Sequence, residues 1–127
     1  MPQEIFALDT NAMPWGDMHV EDIDARLPVK GLISDPDTGM SVTKIVYKAG
    51  FTNITHWHNC SHGIYVLDGI FRTGGKDYGP GCFIWFPEGV VHSHGAGEVT
   101  DATFLFITNK PFDINYVHLG KEPPVKA

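Results

Sequence analysis

The sequence lacks the features that mark several large classes of protein. Only two cysteines, Cys60 and Cys82, occur among 127 residues and they show no paired-motif spacing, which suits a reducing cytosol better than a disulfide framework. Basic residues are few, 9 Lys and Arg against 15 Asp and Glu, for a formal net charge of −6. Phosphate binding needs cations clustered on one face, so nucleic acid is not an expected partner and a small molecule is. No apolar run approaches the length that crosses a bilayer, and Met1 to Thr10 carries Glu4 and Asp9 where a secretion signal would carry a basic start and an apolar stretch. A soluble, cytoplasmic protein is expected. A sustained helical period, an internal repeat and a linker are also missing, and the length bounds the chain to a single domain over residues 1–127.

What is present is punctuation. Fourteen glycines and nine prolines separate short apolar and aromatic runs, which reads as antiparallel β-structure closed into a sandwich or barrel. Strands are expected over Val29 to Ser34, Met40 to Lys48, His62 to Leu67, Ile70 to Thr73, Cys82 to Phe86, Val91 to His94, Thr103 to Thr108 and Asn115 to Leu119. The turns between them include Asp35-Pro36-Asp37-Thr38-Gly39, Gly74-Gly75-Lys76-Asp77, Gly79-Pro80-Gly81 and Pro87-Glu88-Gly89. Each supplies a positive φ from Gly or a preset φ from Pro. Residues 1–25 form a less regular arm, expected to pack on the barrel through Met13, Trp15 and Met18, with a short helical turn near Glu21 to Arg26. Residues 121–127, with Pro123-Pro124, read as a frayed tail.

The seven histidines carry the chemical signal. His56 and His58 are two apart, so in an extended segment both imidazoles face one way. His62 follows at the same parity at the start of a strand, and His92 comes after the Pro87-Glu88-Gly89 turn. Neutral imidazole is a common ligand of divalent transition metals, and facing strands of a small barrel can gather several around one ion. A lone strand histidine is more often a hydrogen-bonded structural residue, and His19 and His118 are read that way. His94 shares the face of His92 and is the candidate catalytic, proton-transfer residue, set against the commoner solvent-facing histidine at a barrel mouth. Cys60 reads as a loop thiol. Glu88 and Glu98 read as solvated turn residues, and the aromatics Trp57, Tyr65, Phe83, Trp85, Phe86, Phe104 and Phe106 as core or dimer surface.

Two glycine frames make the pattern specific. Gly50, five residues, His56, one, His58, three, His62, six, Gly69 has the spacing of the first cupin motif, and Gly81, five residues, Pro87, one, Gly89, two, His92 that of the second. The chain therefore resembles the cupin superfamily. The resemblance implies an all-β, single-domain cupin, a double-stranded β-helix or jelly-roll barrel. It also implies one divalent transition metal ion, Zn²⁺, Fe²⁺, Ni²⁺ or Mn²⁺, on His56, His58, His62 and His92. Two positions depart from the family pattern: His62 stands where Glu is usual and Ala96 where Asn is usual. The first changes the chemistry, because four neutral imidazoles leave the ion's charge uncompensated and favour anionic or enolate ligands.

The resemblance further implies an enzyme acting on a small substrate with an enolisable carbonyl or a phenol. With Fe²⁺ the site is similar to the diketone, dihydroxyacetophenone and flavonol dioxygenases. With Zn²⁺, Ni²⁺ or Mn²⁺ it is similar to the metal-dependent polyketide cyclases. The alternative is a non-enzymatic metal- or ligand-binding sensor, like the cupin domains of anti-sigma factors, while a sugar-processing cupin acting on acidic sugars is weakened by the shortage of cations. A homodimer is expected, since small cupins commonly pair their barrels and an exposed strand edge needs covering.

Overall fold

The computed structural model describes residues 4–122. Among the described residues eleven strands occur in chain order: β1 Gly16–Val20, β2 Ala25–Ser34, β3 Ser41–Tyr47, β4 Thr52–Trp57, β5 His62–Asp68, β6 Phe71–Thr73, β7 Lys76–Tyr78, β8 Phe83–Phe86, β9 His92–Ala96, β10 Ala102–Thr108 and β11 Asn115–Tyr116. They form two antiparallel sheets, a six-stranded one in the order β1-β2-β3-β10-β5-β8 and a five-stranded one in the order β11-β4-β9-β6-β7. This is the all-β, jelly-roll arrangement that the glycine frames imply.

Alternation along the strands decides which side chains meet between the sheets. On β10, Ala102, Phe104, Phe106 and Thr108 point inward and are buried, and on β5 Ile64 and Val66 are buried while Tyr65 and Leu67 are exposed. Ile45 and Tyr47 of β3, Phe71 of β6 and Ala96 of β9 complete one continuous core. Burying a side chain the size of Phe or Ile contributes about 1.5–3 kcal/mol, so this layer supplies the main driving force.

The chain departs from the expected elements where polar residues do the work of strands. β4 was not expected, because its inward residues are Asn53 and His56. β7 emerges from what reads as turn, since Gly74 and Gly75 at φ 60° and 74° make the reversal alone and release Lys76 and Asp77 to pair with Thr73 and Arg72. Asn115 to Leu119 is a two-residue strand followed by a 3₁₀ turn over Val117–Leu119, ended by Gly120 at φ 77°. The helical turn expected to Arg26 is shorter, Glu21–Ile23, and β2 begins at Ala25. Within the arm, β1 pairs along its length with β2 and Met18 packs on the core. Lys30 donates to the Thr10 carbonyl at 2.5 Å and lies 4.3 Å from the centre of the Trp15 ring. The tail expected over residues 121–127 falls, from Pro123 onward, outside the described residues.

Candidate metal centre

The histidines are brought together by strand register. His56 of β4 is the cross-strand partner of His92 of β9, and His94 lies one inward position further along β9, opposite Asn53. A register shift between Asn53 and His56 lets both face the interior although they are three positions apart, an offset that puts residues of a regular strand on opposite faces. His58 lies just beyond β4, where its carbonyl accepts from the Gly89 N–H at 3.0 Å; Gly89, at φ 79°, closes the Pro87-Glu88-Gly89 turn onto it. His62 comes from the other sheet, at the start of β5 between Phe86 and Thr108.

In this arrangement His56, His58, His92 and His94 each present one ring nitrogen, and these nitrogens all lie within 4.8 Å of one another. His94, read as more often solvent-facing, is instead buried, at 3% exposure. The signal for it in the sequence is the repeat of the His56-Trp57-His58 spacing in His92-Ser93-His94. His62 is also buried and its ring centre stands 4.6 Å from that of His58 and 5.3 Å from that of His92, but it lies outside the tightest group of four. His19 is remote and pairs with Asp24 at 3.0 Å, and His118 packs its ring edge-on to Tyr116. Cys60, expected as a loop thiol, is buried, and burial together with the nearby Asp113 and Glu88 charges pushes the thiol up to about 11.

Hydrogen bonding sets the orientation of each ring. The Nδ1–H of His56 donates to the Ile54 carbonyl at 2.6 Å, that of His92 to the Val90 carbonyl at 2.9 Å, and that of His58 to the Asp113 carbonyl. A carbonyl can only accept, so in these three rings Nδ1 carries the proton and Nε2 offers its lone pair inward. His94 Nδ1 lies 3.0 Å from the Tyr47 hydroxyl. The Nε2 atoms of His56, His58, His92 and His94, and both ring nitrogens of His62, are buried with no hydrogen-bond partner among the described residues. Such orphaned atoms cost about 1–3 kcal/mol each, and several of them converging on one point fit a shared cation.

Distance and charge agree with that fit. Two nitrogens bound at about 2.1 Å to one ion stand at most about 4.2 Å apart, so small ring rotations bring the four into a ligand shell. Burial, opposed by the carbonyl hydrogen bond and reinforced by the neighbouring imidazoles, lowers His56, His58 and His92 to about 4. Burial and repulsion from His58, His92 and His56 take His62 to about 2, and His94 is likewise held well below its usual 6.5. All five rings are therefore neutral, the form in which imidazole ligates.

Beside the histidines opens a small cavity of about 60 Å³, walled by apolar side chains such as Val20, Ile45, Phe106, Phe112 and Ile114. Its polar atoms come from Ser41, Thr43, Tyr47 and Asn53 besides His58 and His94, and among the described residues no Lys, Arg, Asp or Glu lines it. Tyr47, Asn53 and Asp113 were not legible as site residues. Tyr47 sits in an apolar strand, Asn53 in an unexpected one, and Asp113 acts through its backbone.

The comparisons with known proteins point the same way on fold. The model of a family described as the ChrR cupin-like domain matches residues 3–113. Among solved structures, the polyketide cyclase RemF from Streptomyces resistomycificus is 19% identical with a TM-score of 0.70, over 90% of this chain and 86% of that one. A putative dioxygenase from Nostoc punctiforme is 20% identical with a TM-score of 0.78, over 92% of this chain but 42% of that one. Rhodobacter sphaeroides SigE in complex with the anti-sigma ChrR is 17% identical with a TM-score of 0.63, over 79% of this chain and 51% of that one. No curated protein matches the sequence.

Proposed function

The chain belongs to the ChrR cupin-like domain family, and from that premise we propose that it is a metal-dependent enzyme acting on a small oxygenated organic molecule with an enolisable carbonyl or a phenol. The observation that carries this reading is the convergence of buried, unpartnered imidazole nitrogens at the wall of an apolar cavity. His56, His58 and His92 would hold a divalent transition metal, with a fourth imidazole from His62 or His94. When bound, such an ion supplies Lewis acidity toward a substrate oxygen, and as Fe²⁺ also dioxygen chemistry.

The chain's own residues do the rest. The Ile54, Asp113 and Val90 carbonyls keep three rings in the ligating tautomer. Phe106, Phe112 and Ile114 exclude water from the substrate's apolar body, while Tyr47, Ser41 and Thr43 offer hydroxyls to its oxygens. Protein purified without a metal-binding tag and loaded separately with Fe²⁺, Zn²⁺, Ni²⁺ or Mn²⁺ should transform β-diketones or hydroxylated aryl ketones: oxygen uptake with Fe²⁺ identifies a dioxygenase, and oxygen-independent rearrangement a cyclase or isomerase. No conversion with any of the four ions would overturn the enzymatic reading.

A second reading is favoured by the family and by the likeness to the SigE–ChrR complex: a metal-binding sensor domain that works by contacting another protein. Metal retention without turnover, together with a metal-dependent protein complex, would establish it. In either case we propose a homodimer, supported by Tyr65, Leu67, Phe83 and Trp85, which are 38–57% exposed on neighbouring strands β5 and β8 at the open edge of the six-stranded sheet.

A further inference from the structure

We propose that Phe112 gates the centre: substrate enters between β1 and the segment joining β10 to β11, and the Phe112 ring selects by size what reaches the histidines. The inference rests on reading the cluster as a metal centre for a small-molecule substrate, and adds the route to it and the residue that controls that route.

The need for a gate is a matter of volume. The cavity beside the histidines holds about 60 Å³, enough for a few waters, whereas sites for small organic ligands hold roughly 300–1,000 Å³. Outside it lies a second hollow of about 340 Å³, reached by His19, Glu21 and Tyr116. Met18, Val20, Phe112 and Ile114 line both spaces, so these side chains form the partition between them. With the partition open, the joined space reaches the size that an organic substrate requires.

Phe112 is the member of that partition best able to move. Val20 is buried at the end of β1, where it pairs with Ala25 of β2, and both Val20 and Ile114 are branched at Cβ and therefore stiff. Phe112 belongs to no strand and is 40% exposed. Its ring centre lies 5.1 Å from that of His58, at 34°, and 5.1 Å from that of Phe106, at 80°. The ring thus covers a candidate ligand on its inner side and meets solvent on its outer side.

The backbone around Phe112 is held from both directions. Upstream, Asn109 Oδ1 accepts from the Ser61 N–H at 3.0 Å and Lys110 pairs with Glu88 at 2.7 Å. Downstream, the Asp113 carboxylate accepts from the Asn59 N–H at 2.7 Å and from Asn115 Nδ2 at 2.9 Å. With the chain fixed, the motion left is rotation of the ring between staggered rotamers, which is fast for an exposed side chain. Such a rotation opens the partition and leaves the Asp113 carbonyl on His58 Nδ1–H, so the ligand ring keeps its orientation while the way in is clear. Met18 lines the same passage from β1, and its unbranched side chain can adapt to what passes.

The test is stopped-flow visible absorbance of Co²⁺-loaded protein mixed with acetylacetone or the larger benzoylacetone, using wild type, Phe112→Ala, Phe112→Trp and Met18→Trp. A gate open in about 0.1–10% of molecules slows entry by that fraction, so Phe112→Ala should speed association of both diketones by about 10-fold or more. Phe112→Trp and Met18→Trp should slow it, benzoylacetone more than acetylacetone, and Met18→Trp narrows the passage from its other side without depending on the Phe112 variants folding. Before mixing, the Co²⁺ spectrum should be the same in all of them, because neither side chain is a ligand. Wild-type association rates in every variant that binds Co²⁺, with the spectra still answering to the diketones, would overturn the gate and leave the centre standing. A wild type that takes up no Co²⁺, or whose spectrum answers to neither diketone, would overturn the reading of the centre and the gate with it.

Discussion

At the scale of single residues, four buried histidines and the half-buried His92 set the chemistry of the site and make stability depend on pH. Folding moves His56, His58 and His92 from 6.5 to about 4, chiefly by burial. Between these values the unfolded chain binds protons that the folded chain refuses, so stability falls as pH drops through that window, by up to about 1.4 kcal/mol per pH unit for each ring. Well above pH 6.5, from about pH 7.5, these rings are neutral in both states and contribute no slope. Urea midpoints of metal-free protein should therefore be level with respect to these groups above about pH 7.5 and decline steeply from pH 6.5 toward pH 4; a midpoint unchanged across that interval would contradict the burial of neutral imidazoles. Asp113 is a second point of leverage. Its carboxylate accepts from the Asn59 N–H at 2.7 Å and Asn115 Nδ2 at 2.9 Å, which fixes the backbone carbonyl that holds His58. Asp113→Ala should cost about 1–3 kcal/mol of stability and weaken metal binding, as read by denaturation and chelator competition. The HxH spacing and the glycine frames made His56, His58, His62 and His92 visible in the sequence. Tyr47 was not visible, because one hydroxyl in the run Lys44-Ile45-Val46-Tyr47 looks like any core aromatic until the facing sheet places His94 against it.

At the scale of elements, two glycines of the first motif do different jobs. Gly50 at φ 79° and Gly69 at φ 74° both need the left-handed region, but a Cβ at Gly50 meets nothing within 4 Å, whereas one at Gly69 would fall 1.9 Å from the Asp101 carbonyl oxygen. Gly50→Ala should therefore cost only the conformational penalty, about 1–2 kcal/mol, while Gly69→Ala must also displace the chain leading into β10 and should be clearly less stable. Equal urea midpoints for the two variants would contradict this. Strands with alternating apolar residues, such as β5 and β10, were legible from sequence because their inward side chains are hydrophobic. β4 was not, because its inward positions are Asn53 and His56: a strand that builds a polar site loses the pattern that announces strands. β7 was hidden for another reason, since two glycines complete its reversal and three residues carry no period.

At the scale of the whole molecule, two sheets enclose a neutral, imidazole-lined point beside an apolar cavity in a chain of net charge −6. The open edge of the six-stranded sheet leaves Phe83 57% and Trp85 50% exposed, a face that a second copy would cover. Sedimentation should show a dimer that Trp85→Lys dissociates; a wild-type monomer at tens of micromolar would contradict it. The central claim is that the histidines form one cation site, and its most direct test is elemental analysis of untagged protein after dialysis at neutral pH against buffer treated to remove trace metals. The account predicts about one divalent transition metal ion per chain, lost in the His56→Ala variant; protein that keeps its fold but retains no stoichiometric metal, even after loading, would contradict it.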